Sequence, residues 1–168
     1  MKNTRKLTLY TTRGALIAAL YVVLTEVATL VGLSSGAIQF RISEALCILP
    51  IFFPEAVPGL FIGCLISNLF VPNVSPWDVL FGSIATLIGA YGAYSLRFLP
   101  EKYKWASTLP TILANVIIVP FVLMFAYGVN DGYFYLATTV GIGEVVCAGI
   151  GGSTFYYILK KTNIRWLK

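Results

Sequence analysis

Three acidic residues of this sequence lie in or beside long apolar stretches: Glu26, Glu44 and Glu144. A charged group in hydrocarbon costs roughly 2.5–3.5 kcal/mol on insertion scales, so such a residue usually has a role. Glu144 shares one helical stripe with several small residues, and it should therefore point at neighbouring helices rather than at lipid. We predict that it is a ligand-binding carboxylate. The alternative is a structural hydrogen bond, for example to Asn115 or Asn68.

The roles of the other two acids stay open at this stage. Glu26 lies two helical turns after Ala19, and it could be either a protonated residue that bonds a neighbouring helix or a functional group. Glu44 begins a short apolar segment, where the helix dipole favours an acid. Capping of that helix, pairing with Arg41 and contact with a ligand are all compatible with its position.

Neutral polar and aromatic residues extend the set of candidate ligand contacts. Asn115 lies inside an apolar segment and Asn68 lies near the end of another. Each amide could bond a ligand through both a donor and an acceptor, or bond a neighbouring backbone. Trp77 and Tyr127 lie near segment ends, where they could anchor at the headgroup belt or stack on a flat ring.

The residue inventory argues against an enzyme. Histidine, the commonest general base and metal ligand, is absent. The three cysteines, Cys47, Cys64 and Cys147, have no metal-ligand spacing and are expected to be buried free thiols. We predict no catalytic residue, no metal site and no cofactor. The sequence also has no phosphate-binding loop, so uphill transport would need a partner or an ion gradient.

The elements that must position these residues are apolar and long. Of the 168 residues, 58% are hydrophobic and 11% are charged, whereas soluble domains carry roughly 25% charged residues. We predict a single all-α membrane domain over residues 1–168 that spans the bilayer six times. The second and third segments are shorter than the roughly 20 residues of a full span and should be broken, tilted or enclosed. The predicted helices are 14–31, 44–53, 57–71, 79–98, 109–127 and 133–159.

The basic residues predict the orientation of these helices. With six spans, all the lysines and arginines except Arg41 fall on one side, at the two termini and between the fourth and fifth helices. The positive-inside rule makes that side cytoplasmic, with both termini inside. The opposite side should then carry a pocket that opens outward. Its polar and aromatic residues include Gln39, Arg41, Trp77, Asp78 and Asp131.

Small residues recur at helical spacing. Ala15 and Ala19 lie four apart on one face of the first helix. Such pairs let helix backbones approach closely in lipid, so the spacing alone favours internal packing for them.

Four strings of the sequence resemble one bacterial family, the QueT transporters of queuosine precursors. They run in order along nearly the whole chain, and the first two mix polar and apolar residues at length. The strings are IQFRISEAL at 38–46, FPEAVPGL at 53–60, DVLFGS at 78–83 and GIGE at 141–144.

The resemblance implies a transport system as well as a fold. QueT members are substrate-binding S components of energy-coupling factor (ECF) importers in the bacterial cell membrane. Such a component is a six-helix bundle that docks on one transmembrane coupling protein and two separate ATPases. Ala15 and Ala19 match the family's Ala-x-x-x-Ala motif, which implies that they contact the coupling protein rather than pack internally.

The resemblance also implies the ligand, a 7-deazaguanine such as preQ1, preQ0 or queuine. Glu144 would accept the N–H donors of N1 and the 2-amino group, because charge-assisted bonds of this kind are strong. Arg41 could order the outer loop by pairing with an acid. Candidate donors to O6 are Asn115, Asn68 and Gln39. Candidates for stacking are Trp77 and a tyrosine such as Tyr127, and candidates for the preQ1 ammonium are Asp78, Asp131 and Glu44.

Two alternatives to this function remain at the level of the sequence. The first is an S component for a different flat heterocyclic vitamin. The second is a small stand-alone secondary transporter, a class that often shows internal repeats. No repeat is evident in this sequence.

Overall fold

A computed structural model describes residues 2–33, 38–70 and 75–162. Within these ranges every regular element is helical, which confirms the prediction of an all-helical chain. The α-helices are α1 (Lys2–Leu30), α2 (Ala56–Phe70), α3 (Pro76–Ser95), α4 (Leu109–Ala126), α5 (Tyr133–Glu144) and α6 (Gly152–Lys161). The 3₁₀ helices are Ile42–Ile51, Leu96–Phe98 and Glu101–Thr108, and a π-helical turn, Val145–Gly151, joins α5 to α6.

Four continuous helical stretches are long and apolar enough to cross a membrane. The two remaining apolar helices, Ile42–Ile51 and Ala56–Phe70, are shorter. The protein is therefore a multi-pass membrane protein. The long stretches are Thr4–Leu30, Pro76–Phe98, Glu101–Ala126 and Tyr133–Lys161.

The helix α1 begins at Lys2, about three turns before the start predicted at residue 14. The prediction followed the apolar run, which begins at Gly14. The residues from Thr4 to Thr12 are exposed and mostly polar, yet the stretch before Gly14 contains no proline, so no residue there breaks the helix. Hydropathy therefore marked the apolar part of α1 and not its whole length.

The segment predicted as a short second helix winds as a 3₁₀ helix, Ile42–Ile51. Pro50 lies inside it, and an α-helix there would lose a backbone bond and bring the ring against the carbonyl one turn earlier. Most of this segment is buried, among α1, α3, the π turn and α6. Such irregular backbone is tolerated at membrane depth when protein surrounds it.

Small residues set the closest helix contacts. A Cβ atom on Gly59 would lie 2.7 Å from the carbonyl oxygen of Gly14, and one on Gly63 would lie 2.9 Å from that of Ala18. The backbones of α1 and α2 thus touch directly, as small residues permit in lipid. Gly89 of α3 approaches Thr111 of α4 in the same way.

Two ion pairs lie at one end of the bundle. Arg13 Nη1 is 3.2 Å from Glu55 Oε1, which joins α1 to the turn before α2. Lys160 Nζ is 2.6 Å from Glu101 Oε1, which joins α6 to the connection before α4. We refer to this end as the basic end, and to the opposite end, where α3 begins and α4 finishes, as the cavity end.

Candidate functional site

A polar cavity of about 390 Å³ opens at the cavity end of the bundle. Sites for small molecules usually have volumes of roughly 300–1,000 Å³, so the size suits a compact heterocycle. Its walls come from α1, the 38–41 segment, α2, α3 and α4, and Val119 and Leu123 supply apolar surface. Its polar side chains are Thr25, Thr29, Gln39, Arg41, Asn68, Asp78 and Tyr127.

A narrow recess of about 10 Å³ adjoins this cavity, since both are lined by Gln39, Arg41 and Val119. Asn115 and Glu144 line the recess and are 2% and 6% exposed. Asn115 Nδ2 and Glu144 Oε2 are buried without a hydrogen-bond partner among the described residues. A polar atom left unsatisfied in this way costs roughly 1–3 kcal/mol. The Asn115 amide and the Glu144 carboxyl group lie close enough to influence each other, but neither atom makes a hydrogen bond of normal geometry among the described residues. The recess therefore presents a donor and an acceptor side by side.

Backbone geometry around Glu144 supports this arrangement. The α5 helix ends at Glu144 and continues as the π turn Val145–Gly151. Short π segments inside helices are frequent at functional sites, because they re-aim the side chains beside them. The preceding residue, Gly143, lies against the 38–41 segment, and a Cβ atom there would be 2.2 Å from the carbonyl oxygen of Gln39. The absence of a side chain at Gly143 therefore allows the 38–41 segment to pack directly against α5.

Tyr127 links the two helices that meet at the cavity. Its hydroxyl donates to Asp78 Oδ2 at 2.7 Å and accepts from the backbone N–H of Ser75 at 3.5 Å. Burial and the bond to Asp78 raise the pKa of Tyr127, so the hydroxyl remains protonated and continues to donate. Asp78 lies in the first turn of α3, where the helix dipole stabilises its negative charge.

Asn68 and Gly82 complete the wall beside Asp78. Asn68 is 2% exposed, and its Nδ2 donates to the backbone oxygen of Asp78 at 3.4 Å. A Cβ atom on Gly82 would lie 3.0 Å from Asn68 Nδ2 and 3.3 Å from Asp78 Oδ1. Both polar side chains therefore occupy the space that a larger residue at 82 would take.

Arg41 lies between the cavity and the recess and lines both. Within the described ranges no carboxylate lies within ion-pairing distance of its guanidinium. Burial works against its charge, but the negative charge of Asp78, the largest opposing influence, helps to raise the pKa of Arg41 above its ordinary value. Arg41 is thus a permanent cation that faces the ligand space.

Glu44 lies behind this site and lines neither space. It is fully buried, and its two oxygens accept from Tyr21 Oη at 2.5 Å and from Cys47 Sγ at 3.1 Å. Thr25 Oγ1 donates to Ser43 Oγ at 2.8 Å in the same layer. The geometry favours a structural role for Glu44, which ties α1 to the 3₁₀ helix.

A Tyr21→Phe variant should test that structural role. It leaves Glu44 Oε1 buried without its donor, so we expect the free energy of unfolding to fall by roughly 1–3 kcal/mol. Ligand affinity of the folded protein should change little. Thermal unfolding in detergent would measure the loss, with Tyr91→Phe as the control, because Tyr91 is 63% exposed. Equal melting temperatures for the two variants would contradict the role.

Two other predicted ligand contacts, Trp77 and Asp131, lie outside the cavity and the recess. Trp77 is 59% exposed and stacks on Phe81, with ring centroids 6.0 Å apart. It lines a separate apolar groove of about 460 Å³ between α3 and α4. Asp131 is exposed in the connection between α4 and α5. Their positions in the sequence correctly placed both residues at the cavity end. Sequence position could not show whether their side chains point into the cavity.

The sequence analysis missed the contribution of α1 to the cavity. Thr25 and Thr29 both line it. With Tyr21 they form a stripe at four-residue spacing in the apolar part of α1, and that spacing could have identified them.

A different face of α1 carries Ala15 and Ala19. Both are exposed, and Glu26 on the same stripe is half-buried. Spacing alone favoured internal packing for the alanine pair, but the closest contacts of α1 with α2 involve Gly14, Ala18 and Tyr21. The Ala15–Ala19 face is therefore open on the surface of the bundle.

Comparison with known proteins gives two findings. A family model described as QueT transporter matches residues 11–161. A protein of Lactococcus lactis subsp. cremoris (strain MG1363), named queuosine precursor transporter QueT, is 28% identical over 157 residues, which cover 89% of this chain and 92% of that protein. No solved structure matches the chain at a significant level.

Proposed function

The chain belongs to the QueT transporter family, and from this premise we propose that it is the substrate-binding subunit of an ATP-driven ECF importer for a 7-deazaguanine. The family match also confirms the resemblance seen in the four sequence strings. The ligand would be a queuosine precursor such as preQ1, preQ0 or queuine. The ATPases would be separate chains.

The observation that carries the proposal is the neighbouring donor and acceptor of the recess, which make no hydrogen bond of normal geometry with the described residues. A guanine-like edge offers N–H groups at N1 and the 2-amino group and an acceptor at O6. The Glu144 carboxylate suits the two N–H groups, and Asn115 Nδ2 suits O6. Gln39 and Arg41 border the same recess and supply further donors. A ligand with this edge would satisfy both buried atoms at once.

The wider cavity suits the rest of the ligand. Apolar Val119 lines both spaces and could contact the ring, while Tyr127 and Asp78 lie farther out beside the 7-substituent. The sequence analysis named Trp77 as a stacking candidate. Trp77 lines the separate groove, whereas Tyr127 lines the cavity. Tyr127 is therefore the better candidate for an aromatic contact with the ligand.

The charge distribution supports a cavity that faces the outside. Arg13 and Lys160 lie at the basic end, in the two ion pairs described above. The positive-inside rule makes this end cytoplasmic. Both termini would then lie inside, and the cavity would open to the exterior.

We infer six membrane crossings, made by the four long stretches together with the two shorter apolar helices. The short helices need not span the bilayer alone, because the buried 3₁₀ helix is enclosed by protein.

The exposed Ala15–Ala19 face supports docking of the coupling protein on α1. We expect an Ala15→Leu, Ala19→Leu double variant to bind ligand normally but to lose at least about tenfold in ATP-dependent uptake, because the added bulk separates the helices. Co-purification with the coupling protein would measure docking directly. Leu20→Phe, on another exposed side of α1, is the control. Unimpaired uptake by the double variant would exclude this face as the docking surface.

The direct test of function is calorimetric titration of the purified protein with preQ1, preQ0, queuine and guanine. We expect at least one 7-deazaguanine to bind tightly and guanine, which lacks the 7-substituent, to bind much more weakly. Uptake in cells should require ATPase-competent partner chains, whereas binding should not. A folded protein that binds none of the four compounds would reject the proposed substrate class.

A further inference from the structure

Acidic groups outnumber basic ones around the candidate site. Asp78 and Glu144 are the acidic residues that line the cavity or the recess in the described ranges, and Arg41 is the only basic residue that lines either space there. Charges buried in a low-dielectric interior need partners. The lining therefore has more acidic than basic side chains, which suits a ligand that can supply a positive charge.

Asp78 is the acid best placed to meet that charge. It lines the cavity and is 7% exposed. Tyr127 bonds its Oδ2, whereas no described residue donates to its Oδ1. Glycine at 82 leaves room for Oδ1 on the side of α3, where a Cβ atom would lie 3.3 Å from it. One oxygen of Asp78 is therefore held in place, and the other remains available to a donor in the cavity.

The positions of the two acids match two parts of one molecule. Glu144 lies in the recess and Asp78 lies in the wider cavity, and Gln39, Arg41 and Val119 border both spaces. A ligand whose guanine-like edge enters the recess would direct its other end towards Asp78. In a 7-deazaguanine that end carries the 7-substituent.

We infer that Asp78 selects a protonated aminomethyl group at position 7, so that the protein takes up preQ1 or its N-substituted relative queuine in preference to the neutral nitrile preQ0. The inference rests on the proposed function and deepens it. An ammonium group would donate to the free Oδ1 in a charge-assisted bond. A nitrile offers no donor and no charge, and it would leave Asp78 Oδ1 without a hydrogen-bond donor from the ligand. Tyr127 and Asn68 act as positioning residues, since they fix the orientation of the Asp78 carboxylate and its backbone.

The test is calorimetric titration of the full chain with preQ1 and preQ0, for the wild type and for Asp78→Asn. We expect the wild type to prefer preQ1 by at least about 30-fold, since breaking a buried charge pair has an effect of this size. Asp78→Asn should remove most of that preference by weakening preQ1 while leaving preQ0 almost unchanged. Asp131→Asn is the matched control, because Asp131 is exposed outside the cavity at the same end. It should retain the wild-type preference.

The outcomes separate the two levels of the proposal. Equal affinity of the wild type for preQ1 and preQ0 would overturn selection by charge, and this comparison needs no variant to fold. Loss of both ligands to the same extent in a folded Asp78→Asn protein would also overturn it, and would assign Asp78 a structural role. In both cases the proposed function would stand. Failure of the folded wild type to bind any 7-deazaguanine would instead reject the function itself.

Discussion

A Glu144→Gln variant should bind 7-deazaguanines at least about 100-fold more weakly than the wild type. The glutamine amide has one acceptor oxygen and one donor nitrogen, so it cannot accept from N1–H and from the 2-amino group together. Its NH₂ group would also face an N–H donor of the ligand. Loss of one partner from a buried, charged hydrogen bond usually costs about 2–5 kcal/mol, which sets the size of the effect.

Calorimetric titration with the best ligand of the wild type would measure this loss. Glu101→Gln is the control, because Glu101 also accepts bonds, from Tyr156 and Lys160, but lies at the basic end. The Glu144 variant should melt close to the wild type, since Oε2 makes no hydrogen bond of normal geometry with the described residues and a glutamine can still contact Asn115. Unchanged affinity would mean that Glu144 does not recognise the base.

Gly143→Ala should abolish ligand binding while leaving the helices in place. The new Cβ would lie 2.2 Å from the carbonyl oxygen of Gln39, well inside van der Waals contact, and the atom in the way belongs to backbone. Segment 38–41 must therefore move off α5 and carry Gln39 and Arg41 with it. Because these residues line both the cavity and the recess, we expect affinity to fall by at least about 100-fold.

Gly141→Ala is the matched control for Gly143→Ala. A Cβ atom at 141 would lie 3.4 Å from Val116 Cγ2, which is close to ordinary contact. The two variants have the same change in composition and helix propensity, two residues apart on one helix. Circular dichroism should show equal helix content, and calorimetry should separate them. If both variants bind ligand equally well, the contact between Gly143 and the loop does not shape the site.

The sequence predicted best the features that depend on periodicity and charge. The stripe of small residues around Glu144 predicted that it faces protein, and it is 6% exposed. The Gln39–Arg41 segment and Asp78 were expected at one end of the bundle, and they line one cavity. In a membrane, lipid and headgroups restrict helices to few arrangements, so a linear pattern carries much of the architecture.

Features that depend on contacts between distant residues could not be predicted. The sequence around Glu44 does not show that Tyr21 and Cys47 donate hydrogen bonds to its two oxygens. The bond from Tyr21 joins residues that are 23 positions apart. The direction of Trp77 depends on where α3 begins, and Ser75 and Pro76 start it three residues before the predicted boundary. The 3₁₀ and π windings depend on packing against neighbours, which local sequence reflects poorly.

The unequal lengths of α1 and α2 have a consequence for the surrounding bilayer. The apolar part of α1, from Gly14 to Leu30, covers 17 residues, about 26 Å at 1.5 Å per residue, whereas the 15 residues of α2 cover about 22 Å. A bilayer core is about 30 Å thick, so α2 is the helix that falls further short of it. Lipid must thin beside the exposed Ile62, Ile66 and Leu69 of α2. This deformation makes the protein's orientation in the bilayer sensitive to membrane thickness, so acyl-chain length is a variable that can tune its transport rate.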